Sequence, residues 1–274
     1  MSLDSWNDGP AREAILSYLD GIGDVADADR IAVVDNDGTL WCEKPTYTQA
    51  FFILEKLGVD PSHDEIPGVQ ALLEAHAGIT TDAFEAEVSR WLDAFRHPRF
   101  GVPFTGLVYA PMLELLGLLR EHEFRVFIVT GGGVDFVRPA AAQLYGVERD
   151  DVVGSAIEVE FARRDGQVEL VRTAKLDGSP NEGPPKVVNI HRHIGHRPIV
   201  AIGNSAGDAE MLEYAHTGPL PSLCLVVGHD DAEREYAYGG AALTNPDAED
   251  ISVTAERFNW TVVSMRDDWS RVFG

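Results

Sequence analysis

The sequence predicts an α/β fold, a parallel β-sheet covered by helices on both faces, with a long helical stretch inserted after the first strand. Three observations predict it. Apolar runs at 31–34 (IAVV), 124–130 (FRVFIVT), 197–203 (RPIVAIG) and 222–228 (SLCLVVG) read as strands buried on both faces, the habit of parallel sheets. Segments with helical spacing separate these runs, as crossover connections require. Residues 44–105 show helical spacing and little strand character.

The elements follow in order. Pro10 opens an amphipathic helix over 10–20, with Ala14, Ile15, Tyr18 and Leu19 on its apolar side. The first strand covers about 31–35. YTQAFFILEKLG, GVQALLEAHAG and TTDAFEAEVSRWLDAF are three helix candidates, the third capped through Thr81 or Asp82 with Glu85. HPRFGVPFTG reads as a linker. A helix over 110–122 leads to the second strand, 124–130, and VDFVRPAAAQLYG follows as a helix with Pro139 interior or near a break. Alternation over 156–172 around Asp165-Gly166 predicts a β-hairpin. LDGSPNEGPP is a loop and KVVNIHRHIG a short helix. Two further buried strands, 197–203 and 222–228, precede a tail with one more helix, a loop and a strand-like WTVVSM at 260–265.

Composition narrows the function. The 274 residues, 45% apolar, suffice for one large domain or a core with a smaller partner. A net charge of −23 argues against nucleic acid and anionic membrane surfaces as partners. An anionic substrate would need a local cation, such as Mg²⁺ or a placed lysine, against that field. No apolar run reaches the roughly 18 residues of a membrane span, and the N-terminus lacks a basic start followed by an apolar stretch, so neither membrane helix nor signal peptide is expected. Cys42 and Cys224 are far apart in sequence, which favours a reducing, cytoplasmic setting over a disulfide framework. Cys42 has no sequence-evident base and reads as a small buried residue.

Chemistry concentrates at strand ends. The first strand stops at Asp35, Asp37, Gly38 and Thr39. In open α/β sheets the crevice beyond the carboxyl ends of the strands binds ligands. Two acids there suit metal binding, nucleophilic attack, or an acid–base pair, although Asp, Asn and Gly are also ordinary turn residues. The second strand ends at Thr130 with Gly131, Gly132 and Gly133, and the third runs into GNSAGD, with Asn204 and Asp208. Lys186 follows a Pro/Gly-rich loop. His191, His193 and His196 lack the i, i+4 spacing of a helical metal pair. HDDAEREYAYGG (229–240) reads as a charged helix face.

These four elements, in this order, resemble the haloacid dehalogenase superfamily and its phosphatases. Asp35-Asn36-Asp37-Gly38-Thr39 matches the first motif, Thr130 the second, Lys186 the third and GNSAGD the fourth. The layout resembles the phosphoserine-phosphatase-like branch, in which a helical cap lies between the first two motifs. The resemblance covers about residues 30–228. It implies a Rossmann-like three-layer core (1–43 and 106–274) with an inserted all-α cap (44–105). It implies an Mg²⁺-dependent phosphohydrolase for a small polar phosphate monoester, with Asp35 as nucleophile and Asp37 as general acid and base. Thr130, Gly131 and Lys186 would hold phosphate. Asp35, the Asp37 carbonyl, Asn204 and Asp208 would hold the metal. Asn204 departs from the family, where Asp is common, and supplies a neutral, weaker ligand. Asn also occurs in metal-free dehalogenases, which lack the second Asp of the first motif. Substrate choice is expected from the cap side, at Glu43 and Lys44, where related enzymes place a Glu one residue further on, and at Arg96 and Arg99 beside His97. Three alternatives remain open at this point: a phosphotransferase, a metal-independent dehalogenase, and a weakly catalytic binding protein.

Overall fold

Helix α1 (Pro10–Gly21) has proline at its first position, and it buries Ala11, Ile15 and Leu19. Strand β1 (Ile31–Val34) follows, and all four of its residues are buried. The structure, a computed structural model, describes residues 2–60, 67–242 and 247–274. Helices α2 (Thr48–Leu57), α3 (Val69–Glu74) and α4 (Thr81–Ala94) come next, then α5 (Ala110–Glu121) and strand β2 (Arg125–Gly133). Helix α6 (Val134–Tyr145) carries Pro139 in its interior. Strand β3 (Val152–Ser155) and the hairpin of β4 (Ile157–Arg164) and β5 (Gln167–Leu176) lead to α7 (Pro184–His193). The chain closes with β6 (Val200–Gly203), α8 (Ala209–His216), β7 (Leu223–Gly228), α9 (Ile251–Phe258), β8 (Thr261–Ser264) and a short α10 (Met265–Asp268).

Six strands form one parallel sheet in the order β3-β2-β1-β6-β7-β8. The chain first builds outward from β1 to β3, then returns to the other side of β1 and builds outward to β8. That reversal between β1 and β6 is the topological switch point at which α/β sheets bind ligands. Alternation along β1 divides the core. Ala32 and Val34 face a layer that includes Ile15 and Leu19 of α1, Leu115 and Leu119 of α5, and Phe136 of α6. Ile31 and Val33 face the opposite layer, with Ile190 of α7, Met211 and Leu212 of α8, and Ile251 of α9.

Helices α2 and α4 pack through aromatic side chains. Phe52 meets Phe84 and Trp91 at ring separations of 5.7 and 5.6 Å, and Phe136 of the core at 5.5 Å. Thr80 caps α4, its hydroxyl accepting from the Ala83 amide at 3.1 Å. The expected cap at Thr81 or Asp82 is therefore displaced by one residue or more, and Glu85 binds Arg149 instead. The hairpin turns at Asp165 and Gly166, with φ of 51° and 81°, as a two-residue turn of this hand requires. Strand β5 then joins the helical segment: Gly78 donates to the Arg172 carbonyl at 2.8 Å and Arg172 donates to the Ile79 carbonyl at 2.9 Å. The helices inserted after β1 and the hairpin inserted after β3 thus meet on one side of the site.

Strand β3 was not expected from the sequence. Only Val152 and Val153 mark it before Gly154, too short a run for a buried-strand signal. Gly154 is demanded by proximity, since a Cβ there would lie 2.9 Å from the Gly132 carbonyl oxygen. No helix among the described residues is long and apolar enough to cross a membrane.

Both faces of the sheet depend on tight filling around its central strands. Ile128→Ala, at a fully buried position of β2, is expected to lose roughly 2–5 kcal/mol. Urea denaturation should show a lower midpoint with an unchanged slope.

Candidate active site

The polypeptide leaves β1 in a fixed turn. The Asp35 amide still donates to the Ile202 carbonyl of β6 at 2.9 Å, extending the ladder by one residue. The Asn36 carbonyl then accepts from the amides of Thr39, Leu40 and Trp41 at 3.2, 2.8 and 3.3 Å. Gly38 has φ +73°, and a Cβ there would lie 2.1 Å from Asn204 Nδ2, so glycine is required twice over. Trp41, buried among Phe104, Phe136 and Tyr145, donates its indole N–H to Asp37 Oδ1 at 2.9 Å. Asp35 and Asp37 are therefore held by backbone pairing and by a core aromatic residue rather than by a free loop.

Lys186, 2% exposed in the first turn of α7, brings three chain segments together. Its Nζ donates to Asp35 Oδ1 at 2.7 Å and to Asp208 Oδ1 at 2.5 Å. Asp208 Oδ2 accepts from the amides of Asn204 and Ser205 at 3.0 and 3.1 Å. Both oxygens of Asp208 are thus engaged within the protein. Burial acts against the lysine's charge, but Asp208 and Asp35 outweigh it and hold Lys186 well above the usual lysine range. Burial and the Asp208 charge push Asp35 above the usual carboxylate range, with Lys186 acting the other way. Burial also pushes Asp37 up to about 6; the Trp41 hydrogen bond opposes this and the Glu43 charge adds to it.

Thr39 links the first and fourth motifs. Its hydroxyl lies 3.4 Å from Asp35 Oδ2 and 3.2 Å from Asn204 Oδ1, so those two acceptors converge on one point. One is a carboxylate oxygen and the other a neutral amide oxygen, hard donors of the kind that suit Mg²⁺. Thr130 ends the apolar part of β2, and its hydroxyl accepts from the Gly132 amide at 2.9 Å. Gly133 donates to Gln49 Oε1 of α2 at 2.7 Å. Asn181 fastens the following loop, donating through Nδ2 to the Thr130 carbonyl at 2.9 Å and through its amide to Ser155 Oγ at 2.8 Å.

A cavity of about 330 Å³ opens beside these groups, with Asp35, Asp37, Lys186, Asp208 and the three glycines in its wall. A model of the haloacid dehalogenase-like hydrolase family matches residues 32–213. The chain belongs to that family. Among solved structures, a protein of unknown function from Bordetella pertussis Tohama I shares 16% identity over 85% of this chain and 98% of its own, with a TM-score of 0.52. A phosphoserine phosphohydrolase-like protein from Francisella tularensis subsp. tularensis SCHU S4 shares 15% identity over 86% and 94%, with a TM-score of 0.48. A HAD family hydrolase, t0658, from Salmonella enterica subsp. enterica serovar Typhi shares 18% over 72% of this chain and 61% of its own, with a TM-score of 0.45. No curated protein matches the chain.

Within this hydrolase the expected specificity residues separate. Glu43 is buried and lines the cavity. Its Oε1 lies 3.3 Å from Lys44 Nζ, and that ammonium sits 4.2 Å from the centre of the Tyr238 ring. Lys44, Arg96 and Arg99 are not in the cavity wall. Arg96 donates to the carbonyls of Asp93, Ala94 and Phe95 at the end of α4. Arg99 donates to the carbonyls of Ala232, Glu233 and Glu235 and stacks on Tyr236. Both arginines close backbone ends that a sequence pattern does not disclose. His97, between them, is buried, donates through Nε2 to the Lys44 carbonyl at 2.6 Å and accepts the Arg99 amide at Nδ1.

The structure also corrects the reading of 229–240, which forms no helix. His229 and Glu235 are buried there. His229 Nε2 donates to the Gly38 carbonyl at 2.7 Å and Nδ1 lies 3.2 Å from Glu235 Oε2. Tyr109 donates to Glu235 Oε1 at 3.1 Å. Both ring nitrogens of His229 face acceptors, so the tail supports the Asp35–Thr39 turn from behind. The alternation of His and acids was visible, but its partners lie far away in sequence. Gln49, Asp135 and Arg172 also line the cavity and carried no sequence signal.

Two substitutions should move stability in opposite directions, measured by thermal unfolding with a chelator present. Asp208→Ala leaves Lys186 with Asp35 as its one remaining carboxylate and leaves two amides without a partner, and should cost roughly 3–5 kcal/mol. Asp37→Asn removes a carboxylate whose pKa is raised in the folded state, and should stabilise by roughly 1–3 kcal/mol at pH 7. That gain should be full above the folded value of about 6 and should vanish as pH falls below the ordinary carboxylate value of about 4, where both states are protonated.

Proposed function

We propose that this hydrolase is a phosphohydrolase that cleaves a phosphate monoester through an aspartyl-phosphate on Asp35, with Mg²⁺ as cofactor. The observation that carries the reading is two carboxylates at one strand end, one of them paired with a buried lysine and both facing one cavity. Asp35 is held against Lys186, while Asp37, two residues on, is pushed up to about 6 and faces the same cavity. A pKa near neutrality suits a group that must both give and take a proton.

In this reading Asp35 attacks phosphorus and the ester oxygen leaves with a proton from Asp37. Asp37 then takes a proton from the water that cleaves the aspartyl-phosphate. Lys186 and Thr130 hold phosphoryl oxygens, together with N–H groups of the Gly131 turn. Asp35, the Asp37 carbonyl and Asn204 would hold Mg²⁺, which when bound offsets the repulsion between Asp35 and the anionic substrate. Asp208, both oxygens of which are used by Lys186 and the 204–205 amides, acts by positioning that lysine and Asn204. Residues 44–105 act as a cap over a core of 1–43 and 106–274, aided by the β4–β5 hairpin. A small phosphorylated molecule, not nucleic acid or membrane, is the partner, and two buried free cysteines suit a cytoplasmic setting.

Release of inorganic phosphate from acetyl phosphate and simple alkyl phosphates tests the proposal, with Mg²⁺ and with chelator. Turnover should require the metal and fall by at least about 10³-fold in Asp35→Asn. Turnover that survives Asp35→Asn would overturn it. Halide release without metal would favour a dehalogenase, and faster turnover with added alcohols a phosphotransferase.

A further inference from the structure

The cavity beside Asp35 and Asp37 is far larger than a phosphoryl group needs, and most of it is not polar. Its outer wall is built by Ile53 of α2, Leu72 and Leu73 of α3, Phe84 of α4, Phe136 of α6 and Leu176 of β5. All but Phe136, which belongs to the core, come from the two insertions that meet over the site. The cations in the wall are Lys186 and Arg172, and each has carboxylate partners. Lys186 lies between Asp35 and Asp208. Arg172, 7% exposed, pairs with Asp135 and lies 3.8 Å from the centre of the Phe84 ring. His76, stacked on Phe52, has its pKa lowered to about 4 by burial, so it adds no charge at neutral pH. Glu182 also lines the cavity and repels a second anion, and Glu43, offset by Lys44 at 3.3 Å, offers an anion no attraction.

We infer that the alcohol released by this enzyme has an apolar body, aliphatic or aromatic, and carries no second anionic group. The inference rests on the phosphohydrolase reading for the chemistry and on the wall composition for the leaving group. An apolar body gains by leaving water for the chamber between α2, α3, α6 and the hairpin. A carboxylate or second phosphate would enter a wall whose cations are already neutralised and would be left unpaired. The neutral His76 ring in this wall has Nε2 buried without a partner, and Arg172 Nε is a donor also buried without one. Because Asp135 already offsets its charge, that N–H suits a neutral oxygen on the leaving group better than an anion. This reading replaces the small polar ester expected from the sequence.

The test is the dependence of kcat/KM on chain length for n-alkyl phosphates from methyl to hexyl, with phosphoserine and phosphoethanolamine alongside. The remote methylenes leave the reacting bond unchanged, so a trend reports burial. We expect a rise of roughly two- to fourfold per methylene, and both polar esters below butyl phosphate. Leu72→Asn and Ile53→Asn should flatten the series while methyl phosphate and acetyl phosphate turnover stay within about twofold, because neither side chain touches the reacting groups. Both positions are partly exposed. A flat series in the wild type, or phosphoserine or phosphoethanolamine above hexyl phosphate, overturns the inference. Binding of hexylphosphonate against methylphosphonate, read by calorimetry, separates it from the catalytic proposal. If no ester is turned over but hexylphosphonate binds at least about tenfold tighter, the chamber assignment stands and the catalytic reading fails. Equal affinities overturn the chamber assignment whatever the turnover.

Discussion

The buried ammonium of Lys186 organises this molecule. Moving one charge out of water is costly, and an ion pair inside a protein repays that cost only when its geometry is good and its remaining polar atoms are satisfied. Here Nζ lies 2.7 Å from one carboxylate and 2.5 Å from another, and the second carboxylate is held in turn by two amides. The three groups come from the end of β1, the first turn of α7 and the turn after β6. Each segment is placed by its own packing, yet the charges are compensated only when all three are in position. The arrangement therefore constrains how β1, α7 and the β6–α8 turn meet.

Sheet topology decides why these segments can meet at all. Parallel strands deliver their carboxyl ends to one edge, and the reversal between β1 and β6 opens a crevice there. Close approach then selects glycine at two points with different reasons. At Gly38 the chain needs a positive φ and room for Asn204, whereas at Gly154 it needs room for the neighbouring strand's Gly132 carbonyl. The tail beyond β7, unexplained by motif resemblance, turns out to brace the same turn. His229 reaches the Gly38 carbonyl from the far side, and Glu235 and Tyr109 hold the histidine in place.

Legibility in the sequence followed the range of the interactions. The strands β1, β2, β6 and β7 were readable because burial on both faces leaves an apolar run, and the hairpin because Asp165-Gly166 is a local signal. Asp35, Asp37 and Lys186 were readable because each sits at a strand end or helix start with a glycine or proline beside it. β3 escaped because its two valines are followed by a glycine chosen for a neighbour's sake. Arg172 and Asp135 escaped because the pair spans two elements and neither residue has a local signature. Arg96 and Arg99 looked like a basic cluster for an anionic substrate, yet each is consumed by carbonyls. Nothing in a one-dimensional pattern distinguishes an arginine that closes a backbone end from one that meets a ligand.

Asn204 is best understood through the charge balance of the cluster. Asp35 and Asp208 already flank a single lysine; burial pushes Asp35 and Asp37 up, with the Asp208 charge adding to the rise at Asp35 and the Glu43 charge to that at Asp37. A carboxylate at 204 would add a further negative charge beside the Thr39 hydroxyl and would push both further up. Asparagine keeps an oxygen at that place, accepting from Thr39 at 3.2 Å, without that charge. Its Nδ2 is also packed against Gly38 so closely that a Cβ on Gly38 would have no room. The residue thus trades attraction for a cation against less repulsion among buried acids. The neutral side chain keeps Asp35 closer to its ionised form, as the nucleophile role proposed for it requires, and the cost falls on attraction for the Mg²⁺ of that same proposal.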